Sequence, residues 1–284
     1  MRRDRSFLNE IPFAREDYAS IVQTNYPGAH DASYRARLKG LVRQSEEAWP
    51  NIPEYEYTEE EHETWRLVSE VLIRLQDHFS CKAYLEGRER LALPLNEVPQ
   101  LRDVSARMEE LTGFMLAPVG GLLDKSEFLP MLGNRVMRST PYMRHHSYPF
   151  FTPEPDIVHE LRGHAPMFMH EPFVELSVEI GNAAAAAVEA GNDELLELIG
   201  LFYWYTVEYG LIREEGKLKI FGAGNNGGIQ DLLRSVDPTV EKKPFSIDAI
   251  RQLSIDYDEP QEVFFVADSY AQITELAHKL IAMA

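Results

Sequence analysis

The stretch TPEPDIVHELRGHAPMFMH, residues 152–170, concentrates side chains that bind metal ions. Within it, His159 and His164 stand five residues apart and Glu160 lies between them. Five residues correspond to about 140° around an ideal α-helix, so both imidazoles reach one ion only where the helix is distorted or where one of them lies at its end. Gly163 offers a point for such a distortion. The spacing disfavours the zinc-peptidase pattern HExxH, whose histidines stand at i and i+4.

Glu208 is the candidate for a third ligand, because it lies inside the apolar run LELIGLFYWYTVEYGLIRE. An unpaired carboxylate there would be costly to bury or would take up a proton, so Glu208 requires a cation. Pairing with an arginine and exposure to solvent are the alternatives. Gly200, Trp204 and Glu208 recur at steps of four, which predicts a helix face that carries a gap, a ring and a carboxylate and forms the wall of a pocket.

These ligand types define the chemistry that the site could perform. Two neutral imidazoles and one carboxylate leave adjacent positions open on a divalent cation, as in non-haem iron oxygenases. Two other classes remain open at this point. A zinc-dependent hydrolase would activate a water molecule beside Glu160, whereas a non-catalytic metal-binding protein would have no open coordination position.

Hydrophobic periodicity predicts the elements that must position these side chains. Apolar residues recur at helical spacing in several segments, and the alanines at 183–187 favour a tightly packed helix face. We predict helices over residues 33–49, 59–79, 101–111, 172–190, 192–213 and 269–282, and strands over 217–221 and 263–266. Because the chain has no internal repeat or low-complexity linker, it should form a single domain that is mainly α with a small β element.

Composition excludes several classes of protein. The chain has 284 residues and a formal net charge of -18, which argues against nucleic acid or an anionic membrane surface as its partner. It lacks an apolar run of the roughly 18 residues that a membrane span needs, and it lacks a signal-peptide pattern at its start. Its single cysteine, Cys81, excludes an internal disulfide and any CxxC motif. We therefore expect a soluble cytoplasmic protein.

The ordered motifs of the chain carry a resemblance. TPEPDIVHELRGHAPMF, FYWYTVEYGL, FGAG, APVGGLL and MRHHSYPFFTPEPD resemble, in order and approximate spacing, the catalytic domain of the pterin-dependent aromatic amino acid hydroxylases. The resemblance extends from near Tyr18, through YRARLKG, YTEEEHETW and VPQLRDVS, to VFFVADSY. It implies iron(II) as cofactor, tetrahydrobiopterin or a related tetrahydropterin and dioxygen as co-substrates, and an aromatic amino acid as the small-molecule substrate.

The resemblance also implies roles for individual residues. His159, His164 and Glu208 match the family's iron ligands, in agreement with the interpretation from residue types above. Arg144 matches the arginine that binds the substrate carboxylate, a task that suits a planar guanidinium able to form two parallel hydrogen bonds. Taken alone, Arg144 would be a surface cation.

Two further groups of residues are implied around the substrate and the pterin. The substrate group is Thr152, Pro153 and Trp204, and the group for the pterin is Gly121, Leu122, Leu123 and Phe128. Glu160 and Tyr203 match catalytic residues that line the space between pterin and iron. Without the resemblance, GGLL would be interpreted as a tight turn, and the aromatic rings as core packing.

The resemblance gives domain boundaries and an assembly state. It places a short N-terminal extension at residues 1–17 and the catalytic domain at 18–284. A regulatory domain and a tetramer-forming tail are expected to be absent. The protein is therefore expected to be a monomer or a weak dimer.

Two stretches depart from the family pattern. Residues 225–228 are Asn-Asn-Gly-Gly where relatives carry small apolar and serine residues, so a hydroxyl that supports an iron-binding histidine is expected to be missing. Tyr257 and Asp258 lie where relatives differ by substrate. By analogy with stand-alone bacterial catalytic domains we favour phenylalanine, hydroxylated to tyrosine, with tyrosine or tryptophan hydroxylation as the alternatives.

Overall fold

The computed structural model describes residues 6–11, 13, 26–255 and 259–282. Most of these residues are helical, and the helices are α1 (Pro27–His30), α2 (Ala32–Ala48), α3 (Glu59–Phe79), α4 (Lys82–Leu91), α5 (Leu101–Thr112), α6 (Lys125–Gly133), α7 (Glu171–Glu189), α8 (Asp193–Tyr203), α9 (Ala223–Gly227), α10 (Ile229–Val236), α11 (Ile247–Ile250) and α12 (Tyr270–Ile281). Short 3-10 turns cover Ser6–Glu10 and Met167–Met169, and π-helical turns cover His159–His164 and Trp204–Glu208.

Short strands form two small sheets in the described part of the chain. They are β1 (Met115–Pro118), β2 (Val136–Ser139), β3 (Leu211–Glu214), β4 (Lys217–Ile220), β5 (Glu241–Pro244) and β6 (Val263–Ala267). β1 and β2 form a parallel pair, and the other strands lie in the order β4-β3-β6-β5. β1 and β2 escape prediction because they are buried along their whole length and show no polar–apolar alternation. β5 was not predicted because its sequence, Glu-Lys-Lys-Pro, is typical of a polar loop.

The predicted architecture, mainly α with a small β element, is confirmed. α3 spans the residues predicted for it and begins at a capping box, in which Thr58 and Glu61 each accept a hydrogen bond from the other's backbone N–H. The helices predicted over 33–49, 101–111 and 172–190 lie within about one residue of their observed bounds. Across the described ranges, no helix is long and apolar enough to cross a membrane.

The helix predicted over residues 192–213 is wrong in its last part. α8 is followed by a π-helical turn and then by strand β3. Gly210 lies between this turn and β3 and lets Phe221 pack directly on the backbone, because a Cβ at this position would lie 2.1 Å from the Phe221 ring. Glu215 and Gly216, with φ of 51° and 78°, then form the two-residue turn that folds β4 back onto β3.

Helix α7 packs against α6, α8 and α12 in the main core. Its buried alanines include Ala183, Ala184 and Ala187, which fits the close packing predicted for the alanine run. The closest approach is between Gly181 of α7 and Gly133 of α6, where a Cβ on Gly181 would lie 1.9 Å from the Gly133 nitrogen. α6 also carries Phe128, the ring that the resemblance implies for the pterin. The contact between α6 and α7 therefore helps to set the position of the Phe128 ring.

Replacing Gly181 by alanine should destabilise the protein, because the added methyl group has no room against the α6 backbone. Overpacking of this kind costs roughly 1–3 kcal/mol. Gly40→Ala is the matched control, since an exposed Cβ in α2 would have no neighbour within 4 Å, and it should stabilise the fold by about 0.5–1 kcal/mol. Chemical denaturation of both variants measures the difference. A Gly181→Ala variant as stable as wild type would contradict the helix contact.

Candidate metal centre

His159 and His164 come together because the helix that carries them is π-helical. The Ala165 N–H donates to the Glu160 carbonyl over 3.0 Å, a bond from residue i+5 to residue i. Such a turn brings residues five apart to the same side of the helix. As a result the two Nε2 atoms lie 3.1 Å apart. The distortion that the spacing of these histidines requires is therefore present.

Two glycines let helix α9 lie directly against this turn. A Cβ on Gly163 would lie 2.6 Å from the Ala223 carbonyl oxygen, so Gly163, which lies within the π-helical turn, also permits close packing of α9. A Cβ on Gly227 would lie 2.9 Å from the Cα of His159. α9 thus supports the backbone of His159 by direct contact, and position 227 brings no hydroxyl to it.

Glu208 reaches the two histidines from the second π-helical turn. The Tyr209 N–H closes this turn by donating to the Trp204 carbonyl over 2.8 Å. Glu208 Oε1 lies 3.0 Å from His164 Nε2, and Oε2 lies 3.6 Å from His159 Nε2. Each of the three side chains offers a ligand atom within 4.8 Å of the others. The arrangement could hold one metal ion.

Tyr203, five residues before Glu208, is the ring that reaches its carboxylate. The Tyr203 hydroxyl donates to Glu208 Oε1 over 2.8 Å. The Trp204 ring packs against the Tyr209 ring, with ring centroids 4.7 Å apart. Gly200, Trp204 and Glu208 thus lie at the end of α8 and in the π-helical turn that follows it, and their sharing of one pocket wall stays a prediction.

Charge and burial suit this group to a cation. Burial lowers the pKa of His159 to about 4, so its imidazole is neutral near pH 7 and has a lone pair to offer. Burial alone would raise the pKa of Glu208, but the two histidines lower it to about 2, and the side chain is an anion. Burial would lower the pKa of His164, but the Glu208 carboxylate raises it, so a proton and a metal compete for this ring. Imidazole and carboxylate ligands fit iron(II), zinc or a similar divalent ion.

Glu160 lies close enough to His164 and Glu208 to interact with their charges. Thr140, directly after β2, donates both its N–H and its hydroxyl to Glu160 Oε1, over 3.1 and 3.2 Å. Glu160 Oε2 is buried and has no hydrogen-bond partner among the described residues. Burial raises the pKa of Glu160 to about 7, so this carboxyl group can hold or release a proton near neutral pH.

Arg144 is buried in an ion pair that the sequence did not reveal. Its Nε and Nη2 atoms donate to the two carboxylate oxygens of Asp156 over 2.8 and 2.6 Å. We had expected the Arg144 guanidinium to form two parallel hydrogen bonds with a substrate carboxylate. Its Nε–Nη2 edge forms them with Asp156 instead. The His159 N–H also donates to Asp156, over 3.1 Å. The Asp156 carboxylate thus joins Arg144 to the turn that carries His159. In the sequence, Asp156 was visible as an acid within TPEPD, with no sign of this pairing.

Thr152 and Pro153 lie in the loop between Arg144 and the first π-helical turn, and both are half-buried. The Thr152 hydroxyl donates to the Glu154 carbonyl over 2.8 Å, which fixes the loop locally. Asp156 follows shortly after and pairs with Arg144. The loop is therefore tied at its far end to the candidate metal centre.

The residues implied to contact a pterin lie in the loop after β1 and in α6. Gly121 has φ of 149°, within the range that favours glycine, and Leu122 is partly exposed next to it. The Phe128 ring meets the Tyr203 ring nearly perpendicularly, with centroids 5.4 Å apart. Because Tyr203 bonds to Glu208, α6 connects to the candidate ligands through one tyrosine.

The two departures from the family pattern have different outcomes. Tyr257 and Asp258 lie outside the described residues. Asn226 is fully buried, and its side chain and carbonyl accept hydrogen bonds from Ser80 and Gln76 over 2.6 and 2.8 Å. These bonds tie α9 to the end of α3, so the asparagine at this position has a structural role.

Comparison with known sequences gives a consistent set of matches. A sequence profile described as biopterin-dependent aromatic amino acid hydroxylase matches residues 8–283. A tyrosine 3-monooxygenase from Caenorhabditis briggsae is 37% identical over 273 residues, which cover 94% of this chain and 52% of that protein. A tryptophan 5-hydroxylase from Xenopus laevis is 37% identical over 264 residues, which cover 91% of this chain and 54% of that protein. The chain thus spans about half the length of these curated relatives.

Solved structures match over most of the chain as well. The phenylalanine hydroxylase from Chromobacterium violaceum, in a crystal structure with bound iron(III) and 7,8-dihydrobiopterin, superposes with a TM-score of 0.74 at 27% identity. The match covers 80% of this chain and 82% of that one. The cold-active phenylalanine hydroxylase from Colwellia psychrerythraea 34H superposes with a TM-score of 0.73 at 25% identity and covers 81% and 89%.

Alanine at His159, His164 or Glu208 should abolish stoichiometric binding of iron(II), because each change removes one of the three ligand atoms. The helical content should be unchanged. Glu194→Ala, which removes an exposed carboxylate from the first turn of α8, is the control and should bind iron like wild type. Metal analysis after anaerobic reconstitution and desalting measures the stoichiometry, and circular dichroism measures the fold. Full iron binding by Glu208→Ala would rule out this ligand set.

Proposed function

The chain belongs to the biopterin-dependent aromatic amino acid hydroxylases, and from this premise we propose that it is an iron(II)- and tetrahydropterin-dependent monooxygenase that hydroxylates the ring of phenylalanine. The family description confirms the expected dependence on a pterin. The observation that carries the proposal is the convergence of His159, His164 and Glu208, whose ligand atoms lie within 4.8 Å of one another.

His159, His164 and Glu208 would hold the iron. When bound, iron(II) and tetrahydropterin supply the electrons that activate dioxygen. The chain's own groups prepare the site for this: neutral His159 and anionic Glu208 offer lone pairs, and the Tyr203 hydroxyl orients one Glu208 oxygen. His164, Tyr203 and Glu208 are buried, which limits access of water to reactive species.

The pterin would lie between the β1 loop, α6 and Glu160. Phe128 offers a ring face for stacking, held at an angle by Tyr203. The backbone of Gly121, Leu122 and Leu123 offers N–H and C=O groups to the edge of the pterin ring. Glu160 offers Oε2, which has no acceptor role within the described part of the protein and would accept an N–H of the pterin.

The amino acid would lie beside the loop of Thr152 and Pro153, with Trp204 against its side chain. Arg144 would bind its carboxylate through Nη1, whose hydrogen bond within the described part of the chain is a 3.4 Å contact to the Pro149 carbonyl. The remaining edge of the guanidinium is held by Asp156, so the arginine is oriented before the substrate arrives.

Phenylalanine is favoured among the aromatic amino acids by the structural likeness to two phenylalanine hydroxylases, which extends over about 80% of the chain. The curated relatives that act on tyrosine and tryptophan share more sequence, at 37% identity, but match over only about half of their own length. Hydroxylation of tyrosine or tryptophan is therefore the alternative that the assay must include.

Anaerobic reconstitution with iron(II), followed by tetrahydrobiopterin, oxygen and each aromatic amino acid in turn, tests the function. We expect iron- and pterin-dependent conversion of phenylalanine to tyrosine, identified by product mass and ring position. Zinc-loaded protein should be inactive, because zinc has no redox chemistry. Efficient use of tryptophan or tyrosine with phenylalanine poor would reverse the substrate assignment. Absence of pterin-dependent turnover with all three would reject the function.

Arg144→Lys tests the carboxylate site. Lysine keeps the positive charge but loses the planar fork, so it cannot hold both Asp156 and a substrate carboxylate in fixed geometry. We expect kcat/KM for the amino acid to fall roughly 30-fold to 1000-fold, with iron content retained. Arg66→Lys on α3, where the arginine pairs with two exposed glutamates, is the control and should be neutral. Near-normal kcat/KM in Arg144→Lys would exclude the carboxylate role.

A further inference from the structure

The two-stranded sheet connects the proposed pterin loop to the proposed reaction centre. β1 ends at Pro118, three residues before Gly121, and β2 ends at Ser139, immediately before Thr140. Pro118 and Ser139 are paired in the parallel ladder, so both segments leave the sheet at the same end. The position of Thr140 is therefore fixed by β2, which pairs with the strand that leads into the proposed pterin loop.

Thr140 binds Glu160 through two donors on one residue. Its N–H lies 3.1 Å and its hydroxyl 3.2 Å from the same oxygen, Glu160 Oε1. The hydroxyl also lies 3.0 Å from the Pro155 carbonyl. A hydroxyl carries one proton, so it donates to one of these two oxygens at a time, whereas the N–H bonds to Glu160 alone among the described residues. Thr140 is 2% exposed, so water does not compete freely for these groups.

The consequence is an asymmetric carboxylate. Glu160 Oε1 has its donors, while Oε2 is buried and has none among the described residues. A buried acceptor without a donor is costly, and a ligand N–H placed against it would remove that cost. Because the carboxylate is planar, fixing Oε1 also fixes the direction of Oε2.

We propose that Thr140 is a positioning residue, which holds Glu160 Oε1 so that Oε2 is directed to accept an N–H of the bound pterin. This inference rests on the proposed function, because it takes the pterin to lie beside Glu160. A purely structural Thr140 would instead tie β2 to the loop at Pro155 through its hydroxyl. That role would affect stability and leave pterin affinity unchanged.

Thr140→Val and Thr140→Ser separate these roles in the iron-loaded protein. Valine keeps the shape and the backbone N–H but removes the hydroxyl, whereas serine restores it. For Thr140→Val we expect KM for tetrahydrobiopterin, and its Kd measured by anaerobic calorimetry, to rise roughly 10-fold or more, as loss of a hydrogen bond to a charged group implies. KM for phenylalanine and iron content should change little. Thr140→Ser should bind the pterin nearly as wild type does.

A double-mutant cycle supplies the second measurement. Glu160→Ala removes the carboxylate through which Thr140 acts, so adding Thr140→Val to it should weaken pterin binding no further. Additive losses in the double variant would show that Thr140 acts independently of Glu160 and would overturn the proposal. Pterin binding by Thr140→Val equal to wild type would also overturn it.

The outcomes distinguish this inference from the function on which it rests. If wild type hydroxylates phenylalanine and Thr140→Val matches it in KM and Kd for the pterin, the positioning role is wrong and the function stands. If wild type neither binds tetrahydrobiopterin nor turns over, both are wrong. Weaker pterin binding in Thr140→Val, rescued by serine, supports both.

Discussion

The candidate metal centre depends on two backbone hydrogen bonds that run from residue i+5 to residue i. One, to the Glu160 carbonyl, brings His159 and His164 to the same side of their turn; the other closes the turn that ends at Glu208. In a regular helix the histidines would point about 140° apart. π-Helical turns are rare and occur often at functional sites, because each one displaces side chains from the regular helical register. Here two such turns face each other and their displaced side chains converge.

The remainder of the site is joined to these turns through carboxylates. Asp156 accepts from both Arg144 and the His159 N–H, so the proposed substrate cation and a candidate ligand share one anchor. Glu208 similarly accepts from Tyr203, which packs on Phe128 of α6. Buried, charge-assisted bonds of this kind are short and directional, so they transmit position between elements that are distant in sequence. The distances between metal, pterin and substrate groups would thereby be fixed before any ligand binds.

Much of this fold follows from local sequence signals. The helix over 59–79 has a capping box and regular apolar spacing, and both signals give its bounds correctly. The candidate ligands were identifiable because a glutamate in an apolar run and a close pair of histidines are chemically out of place. Of the two π-helical turns, the sequence indicated the first, because the spacing of His159 and His164 required a distortion. Nothing in the run before Glu208 indicated the second. Tertiary packing determines that turn, and the hydrogen bond from the Tyr203 hydroxyl to Glu208 was not predicted.

Contacts between distant segments lay beyond sequence reasoning for the same reason. The Thr140–Glu160 bonds join a short buried strand without alternation to a helix 20 residues later, and neither segment signals the other. The role of Gly163 was likewise set by a partner, the Ala223 carbonyl, whose approach no local pattern predicts. Residue types therefore identified the chemistry, whereas the structure was needed to identify what orients it.

The central claim is that the two π-helical turns present His159, His164 and Glu208 to one iron ion. Anomalous diffraction at the iron absorption edge, from crystals grown anaerobically with iron(II), measures this directly. The account predicts a single strong anomalous peak, which marks an iron ion bound by Nε2 of both histidines and by the Glu208 carboxylate. Both i+5 to i hydrogen bonds should be intact. A peak elsewhere, or iron held by these residues only after either turn has become a regular α-helix, would contradict it.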